Sequence, residues 1–227
     1  MTDKCETHIM QKFFDFDGEG DEDTFDLYYY ANEKFYDFDA EDPPYVLYLF
    51  DGPYDPKVLT DVSNPWVQFA KNNKSMIYGV ELRGKGKSLI KGKDSSKDSK
   101  YFTTKHHADD LMFIYDSAIK SYGLGPWLLV GKDAAATLAI WNRISEKSVF
   151  KCAYAIDPEL SKLDSLDNKS FLDYQPSNLI LVGSNKEKFD ALSTFAGNFD
   201  PTKSNIFAVE ESDNKEILKK LNDVVLK

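Results

Sequence analysis

The chain has 227 residues, which is enough for one large domain with a substantial hydrophobic core. Its hydrophobic fraction of 42% and its charged fraction of 29% exclude a wholly disordered or fibrous protein. The formal net charge of −10 argues against a nucleic-acid partner, because binding phosphates needs a surplus of Lys and Arg. No apolar run approaches the roughly 20 residues that cross a bilayer, so no membrane association is expected.

The charges are distributed unevenly along the chain. Residues 1–60 hold 16 acidic and 4 basic side chains, whereas 83–105 hold 8 basic and 2 acidic ones. We therefore predict a single domain, 1–227, with an acidic N-terminal β-hairpin region at 1–40 and a basic Ser/Lys-rich loop at 83–105. The loop is expected to be a solvated surface segment, and a binding surface for an anion or a partner is the alternative.

Eight short apolar or aromatic runs predict β-strands. They cover residues 11–16, 24–31, 45–50, 75–80, 127–130, 150–155, 178–182 and 205–209. From the third run onward there is little alternation, which is typical of parallel strands buried on both faces. Amphipathic patterns predict helices at 61–72, 105–122, 133–145, 186–195 and 213–225. This order predicts a doubly wound α/β domain, with a mostly parallel eight-stranded sheet and helices on both faces, as in the α/β-hydrolase fold.

In that fold, the sharp turn after the fifth strand carries the nucleophile, and small residues flank it because the backbone is crowded there. The segment 127–141 reads WLLVGKDAAATLAIW. Gly131 and the three alanines that begin at Ala134 supply the small residues of such a nucleophile elbow. The residue at the apex of the elbow is Asp133 rather than a serine.

Five segments resemble the serine carboxypeptidase S28 family, which includes prolylcarboxypeptidase and dipeptidyl peptidase II. They are QKFFDFD at 11–17, TFDLYYYAN at 24–32, YVLYLFDGPY at 45–54, ELRGKGKS at 81–88 and the elbow segment at 127–143. The family's elbow pattern is W-x-x-x-G-G-S-Y-x-G-x-L-A-A-W-x-R. The matching residues are Gly131, Leu138, Ala139, Trp141 and Arg143, and the departures are Lys132, Asp133 and Ala134. The resemblance implies an α/β-hydrolase fold whose helical cap is missing, since only residues 157–177 stand where the family inserts it.

The resemblance also implies a Ser–Asp–His triad, with the acid after the seventh strand and the histidine after the eighth. This chain has Asp133 at the serine position, and it has no histidine beyond His107. The sequence EESDN occupies 210–214, where the resemblance requires the histidine. Asp190 is the candidate remnant of the acid. Because serine hydrolysis needs a general base near neutral pH, this degenerate site is predicted to be inactive.

We therefore expect a non-catalytic, S28-like pseudoenzyme that binds an unidentified protein or peptide partner or another ligand. The alternative is an active hydrolase, either a proline-specific exopeptidase of the S28 type or an enzyme with Asp133 as the nucleophile. A structural role for Asp133 is favoured over the nucleophilic one. An aspartate at the start of a helix is expected to cap free N–H groups and to interact with the helix dipole.

No cofactor and no metal site are predicted. The cluster H-H-x-D-D at 106–110 contains metal-binding residue types, but exposed histidines beside carboxylates of a helix N-terminus are the favoured interpretation. The acidic segment 15–26 approaches the spacing of a calcium loop, but an acidic hairpin turn is favoured there. The start of the sequence lacks a basic and apolar leader, which predicts a cytoplasmic protein. The S28 resemblance implies a lysosomal or secreted protein if a leader has been removed.

Overall fold

The computed structural model describes residues 5–13, 24–93, 97–146, 148–164, 178–199 and 205–226. In these residues, eight strands form one sheet in the order β1-β2-β4-β3-β5-β6-β7-β8. The strands are β1 (Glu6–Phe13), β2 (Thr24–Asn32), β3 (Tyr45–Phe50), β4 (Met76–Glu81), β5 (Trp127–Lys132), β6 (Phe150–Ile156), β7 (Asn178–Gly183) and β8 (Asn205–Glu210). β2 runs antiparallel to β1 and β4, and all other pairs are parallel. The predicted mostly parallel sheet is therefore confirmed.

Seven α-helices connect or flank the strands in the described ranges. They are α1 (Pro56–Thr60), α2 (Pro65–Asn72), α3 (Thr104–Tyr122), α4 (Ala134–Ser145), α5 (Leu160–Asp164), α6 (Lys186–Gly197) and α7 (Asn214–Val225). The helix predicted at 61–72 begins only at Pro65, since a separate helix ends at Thr60. Both helices begin with a proline, whose fixed φ suits the first helical position.

The hydrophobic core lies on both faces of the sheet. Alternate residues of β3 point to opposite faces, and Leu47 and Tyr48 belong to different core clusters. One cluster packs against α3, α4 and α6, and the other against α1, α2 and α7. Because both faces are covered, all six side chains of β3 are buried, which explains the continuous apolar run in the sequence.

The basic segment 83–105 is not uniformly solvated. Arg83, Ser88, Ile90 and Tyr101 are all buried. Residues 94–96 of the segment lie outside the described residues, as do 14–23, where the acidic hairpin turn is predicted. Among the helices that the structure describes, none is long and apolar enough to cross a membrane.

Candidate functional site

The elbow predicted from the sequence is formed by the end of β5 and the start of α4, with Asp133 between them. Asp133 has φ 54° and ψ −121°, a strained conformation for a residue with a side chain. Its N–H donates to Ile156 O at 2.8 Å, and its carbonyl accepts from Ala136 N at 3.1 Å and from Thr137 N at 3.3 Å. These bonds hold the backbone in the strained conformation, so the elbow exists with an aspartate at its apex.

Gly131 allows the strand and the helix to meet at this short turn. A Cβ atom built on Gly131 would lie 2.4 Å from Ala135 O and 2.7 Å from Ala136 N. Both atoms belong to the backbone of α4, so they cannot move aside as a flexible side chain would. The sequence signal of small residues around the elbow therefore has a direct steric cause.

The prediction that Asp133 caps α4 is wrong. Its side chain accepts no capping hydrogen bond and is exposed. Capping requires an extended backbone at the N-cap residue, so that the side chain folds back onto the first N–H groups of the helix. The positive φ of Asp133 excludes that geometry and leaves the carboxylate at the open end of the elbow.

Further charged residues lie around Asp133 at the carboxyl end of the sheet. Asp157 follows β6, and its carboxylate accepts from Ser184 N at 2.9 Å and from Lys188 Nζ at 2.8 Å. The hydrogen bond with Asp157 raises the pKa of Lys188, and the nearby charges of Asp133 and Glu211 add to this rise. Three carboxylates, those of Asp133, Asp157 and Glu211, therefore lie near the ammonium group of Lys188. The carboxylates follow the ends of β5, β6 and β8, and Lys188 belongs to the first turn of α6.

A tyrosine also lies near Asp133. The side chain of Tyr48, on β3, is 8% exposed. Burial raises its pKa to about 12, with a smaller contribution from the negative charge of Asp133. Tyr48 is therefore a neutral hydroxyl near the elbow over the whole physiological pH range.

Asp190, the candidate remnant acid, lies on the exposed face of α6. Its carboxylate accepts from Lys186 Nζ at 2.7 Å, within the same helix. The buried carboxylate at this edge of the sheet is instead Asp157, which the sequence interpretation did not single out. A usable signal was present, because Asp157 directly follows the apolar run of β6.

The histidines differ from the expectation of exposed side chains. His106 is only 7% exposed and its Nδ1 is 2.7 Å from Thr103 Oγ1. His107 Nδ1 is buried and has no hydrogen-bond partner among the described groups. Burial and the positive charges of Arg83 and Lys85 lower the pKa of His107 to about 3. The expectation was wrong because the start of α3 packs against the loop that follows β4.

A cavity of about 360 Å³, here called the elbow cavity, opens beside the first turns of α4. Its lining residues are Asp51, Leu82, Arg83, Lys85, Phe102, Thr104, His107, Ala134, Ala135, Thr137, Leu138, Trp141 and Lys162. Four of them present large apolar surfaces, and the ion pair of Lys85 with Asp51, at 2.8 Å, lies at its wall. The cavity can therefore hold an amphipathic ligand of small-molecule or short-peptide size.

The segment ELRGKGKS at 81–88 builds one wall of the elbow cavity. The buried Glu81 carboxylate accepts from Tyr54 N at 2.7 Å and from Lys87 N at 2.6 Å. Arg83 donates two hydrogen bonds to Asp110, Nε to Oδ2 and Nη2 to Oδ1, both at 2.8 Å. These bonds connect the loops after β3 and β4 to α3, which gives the segment a structural role.

The hydrogen-bonded pair of Arg83 and Asp110 also involves the cluster of metal-binding residue types at 106–110. Both oxygens of Asp110 are bonded to Arg83, so this carboxylate is not oriented to share a metal with His106 or His107. In the part of the chain that the structure describes, no group of three or more His, Cys, Asp or Glu side chains is placed to hold a metal ion. The calcium-like spacing at 15–26 falls mostly on residues outside the described ranges.

Comparisons with solved structures identify α/β hydrolases as similar in fold. A protein described as dipeptidyl aminopeptidase IV, from Bacteroides ovatus, is 12% identical with a TM-score of 0.60, over 98% of this chain and 35% of its own. Est1E from Butyrivibrio proteoclasticus with bound ferulic acid is 12% identical with a TM-score of 0.61, over 95% of this chain and 100% of its own. An alpha/beta fold family hydrolase from Bacillus anthracis is 11% identical with a TM-score of 0.57, over 98% of both chains.

The present chain thus spans about a third of the Bacteroides protein but nearly all of the two smaller hydrolases. At these identities the likeness concerns the fold alone. A comparison with curated protein sequences gives no match. The family model described as serine carboxypeptidase S28 matches residues 11–167. This range is more than half of the chain and includes the elbow and the segment ELRGKGKS. The protein therefore belongs to the serine carboxypeptidase S28 family.

Proposed function

We propose that this S28 family protein binds a ligand in the elbow cavity without hydrolysing it. The observation that carries the proposal is the set of groups around the elbow. A carboxylate, Asp133, stands at the apex, and the loop after β8 offers Glu210 and Glu211 where the family's mechanism requires an imidazole. A carboxylate is a much weaker base than an imidazole near neutral pH, so proton removal from a nucleophile is not supported.

The histidine in the wall of the elbow cavity does not replace the missing base. A pKa of about 3 makes the imidazole of His107 a poor proton acceptor at neutral pH. The same property suits binding, because the neutral ring of His107 contributes to the wall of the elbow cavity without adding charge. Together with Phe102, Leu138 and Trp141, it favours an amphipathic ligand such as a short peptide segment.

The proposal is tested with a fluorophosphonate probe and a set of proline-containing peptides. We expect neither labelling of the protein nor peptide turnover, and we expect the Asp133→Ala variant to behave like the wild type. Saturable binding of at least one peptide should be abolished by Leu138→Trp, which fills the elbow cavity. The Asp190→Ala variant, altered on the exposed face of α6, is the matched control and should bind normally. Turnover that is lost in Asp133→Ala would contradict the proposal.

Asp133 as a nucleophile is the second candidate function. The observation that favours it is the strained elbow backbone, which presents an uncapped, exposed carboxylate in the position of a nucleophile. In such an enzyme a carboxylate oxygen of Asp133 would attack carbon, and the ester would form as halide leaves a haloalkane or as the C–O bond of an epoxide opens. Attack of water on the ester carbonyl carbon would then release the alcohol and regenerate the carboxylate. A single turnover of a haloalkane or an epoxide in H₂¹⁸O would then place ¹⁸O in the Asp133 carboxylate. Mass spectrometry of the peptide that contains Asp133 measures this, and unlabelled peptide argues against the nucleophile.

A further inference from the structure

The outer edge of β1 is a surface that the elbow cavity does not involve, since no residue of β1 lines that cavity. β1 is the first strand in the sheet order, and among the described strands it pairs only with β2. Its outer row of backbone N–H and C=O groups thus has no strand partner in the part of the chain that the structure describes. The side chains of Glu6, Thr7, Ile9 and Gln11 are exposed, so another chain can approach this edge.

The regularity of β1 suits it to pairing with a further strand. It is eight residues long and contains no proline, and its eight residue pairs with β2 follow one another without a bulge. The stretch THIMQ, between Glu6 and Lys12, contains no Lys, Arg, Asp or Glu. Short length, prolines, bulges and exposed charges are the usual features that prevent edge strands from pairing. The middle of β1 has none of them.

Two large apolar side chains are exposed at this edge. Ile9, in the middle of β1, is 56% exposed, and Phe113 of α3 is 45% exposed. Phe113 lies beside β1, because the Nζ of Lys12 is 4.0 Å from the centre of its ring. A second strand on the outer edge would cover Ile9 and part of Phe113, and the burial of apolar surface would favour the pairing.

Lys12 restricts which strand can pair there. Its side chain is turned toward α3 and is only 3% exposed. Burial lowers the pKa of Lys12, and the nearby carboxylate of Asp110 offsets this only in part. An inward-facing charge opposes edge pairing, because most incoming strands would bury it further. A strand that places a carboxylate opposite Lys12 would instead stabilise the charge.

A second copy of β1 meets this requirement. In an antiparallel pair with a two-fold axis at Ile9, Ile9 faces its own copy and Glu6 faces Lys12 of the second copy. Glu6 and Lys12 lie on the same face of β1, because they are separated by an even number of residues. The Glu6 side chain is 70% exposed and is therefore accessible to the other chain. β8, at the opposite edge of the sheet, contains no basic residue and offers no such match.

We propose that the outer edge of β1 is a self-association surface, through which two copies of this chain form an antiparallel dimer with one continuous sheet. The register centres on Ile9, and Glu6 of each copy lies opposite Lys12 of the other. Directly opposed residues of opposite charge stabilise an antiparallel pair. A single pair of strands forms a small interface, so the dimer is weak and reversible.

Sedimentation velocity of the full chain tests the proposal. Between roughly 1 μM and roughly 500 μM we expect the wild type to change from monomer to dimer. Ile9→Lys brings two ammonium groups together at the two-fold axis and should abolish the dimer. Its thermal unfolding should resemble that of the wild type, because Ile9 is exposed. Leu226→Lys is the matched control and should dimerise normally: Leu226 is 46% exposed and follows α7, which packs against β6, β7 and β8.

A mixing experiment tests the register. Ile9→Glu should be monomeric by itself, but an equimolar mixture of Ile9→Glu and Ile9→Lys should form a heterodimer, because position 9 of one copy faces position 9 of the other. Glu6→Gln removes the charge opposite Lys12 and should weaken the dimer about two- to fivefold. A wild type that stays monomeric over the whole concentration range, or an Ile9→Lys variant that dimerises as the wild type does, would overturn the proposal. A mixture that stays monomeric would overturn the register.

Discussion

The carboxylate of Asp157 and the ammonium group of Lys188 lie 2.8 Å apart at the edge of the sheet that carries Asp133. Burial by itself raises the pKa of Asp157, but the hydrogen bonds from Lys188 and Ser184 outweigh it, so the net pKa is below the ordinary value. The pair connects the end of β6 to α6, beside the elbow. The pair is thus a structural link, and its Lys188 ammonium group is a positive charge near Asp133.

Replacing Asp157 by asparagine should destabilise the protein in a pH-dependent way. The loss of the charge-assisted hydrogen bond to this buried carboxylate should cost about 1 kcal/mol of unfolding free energy at pH 7. Because the folded-state pKa is lowered, this contribution is present above the unfolded-state pKa of about 3.9 and is lost as the pH falls through the folded-state pKa. Urea denaturation from pH 7 to pH 3 should show the wild type and the variant converging below pH 4.

The matched control for this prediction is Asp190→Asn. Its carboxylate also pairs with a lysine, at 2.7 Å, but both side chains are more than half exposed. Solvent screens such a pair, so the substitution should change stability little at any pH. Equal effects of the two substitutions would contradict a special role for Asp157.

Gly131→Ala should destabilise the elbow. The new Cβ would meet the backbone of α4 at 2.4 Å, so β5 and α4 must separate, at a cost of about 2 kcal/mol in unfolding free energy. Gly197→Ala is the control, because a Cβ on that glycine, at the end of α6, meets nothing within 4 Å. It should leave the protein as stable or up to about 1 kcal/mol more stable. Chemical denaturation of both variants measures the contrast, and similar losses in both would contradict the steric explanation.

Asp133→Gly should stabilise the protein. A non-glycine residue at φ 54° and ψ −121° is strained, and glycine adopts such angles without a steric penalty. Glycine loses more chain entropy on folding, which offsets part of this effect. The net gain in unfolding free energy should be about 1 kcal/mol. Asp133→Ala keeps the strain and removes only the carboxylate. If the alanine variant were stabilised equally, repulsion between carboxylates, and not the backbone, would be the cause.

The sequence predicted the eight strands and the elbow because both depend on local patterns. The apolar runs of β3 to β7 mark strands buried on both faces, and Gly131 with the following alanines marks a crowded turn. The capping role of Asp133 was predicted wrongly, since the preference of aspartate for helix caps is weaker than the constraint that β5 and β6 place on its backbone. Its positive φ depends on the hydrogen bond to Ile156, which no local pattern reveals.

Pairs that join distant segments could not be predicted from one sequence. Lys188 meets Asp157 across 31 residues, and Arg83 meets Asp110 across 27. The partial burial of His107 was predictable, because it precedes Leu111 by four residues and therefore lies on the same helical face as a core residue. The adjacent carboxylates at 109 and 110 favoured a solvated helix start instead, and only the position of Arg83 resolves that conflict.

Arg83→Met should be among the most destabilising single substitutions in the chain. It leaves the carboxylate of Asp110, which is 2% exposed, without its bidentate partner. Such a loss costs about 3–5 kcal/mol, and the lower end is expected because the positive charge of Lys12 also acts on Asp110. Arg83→Lys keeps a charge but not the two-pronged geometry, so its loss should be roughly half as large. Thermal and urea unfolding measure both, and equal losses would assign the effect to packing rather than to charge.

His107 should make the protein sensitive to acid. Its folded-state pKa of about 3 lies below the unfolded-state value of about 6.5, so between these values the unfolded chain binds a proton that the folded protein does not. Stability conferred by the neutral, partly buried ring is therefore full above pH 6.5 and falls as the pH decreases, by at most about 1.4 kcal/mol per pH unit. His107→Gln cannot titrate, so its unfolding free energy should decline less steeply than that of the wild type between pH 6.5 and pH 4. Parallel declines in urea denaturation, or a wild-type His107 NMR signal that titrates near pH 6, would contradict the burial of this imidazole.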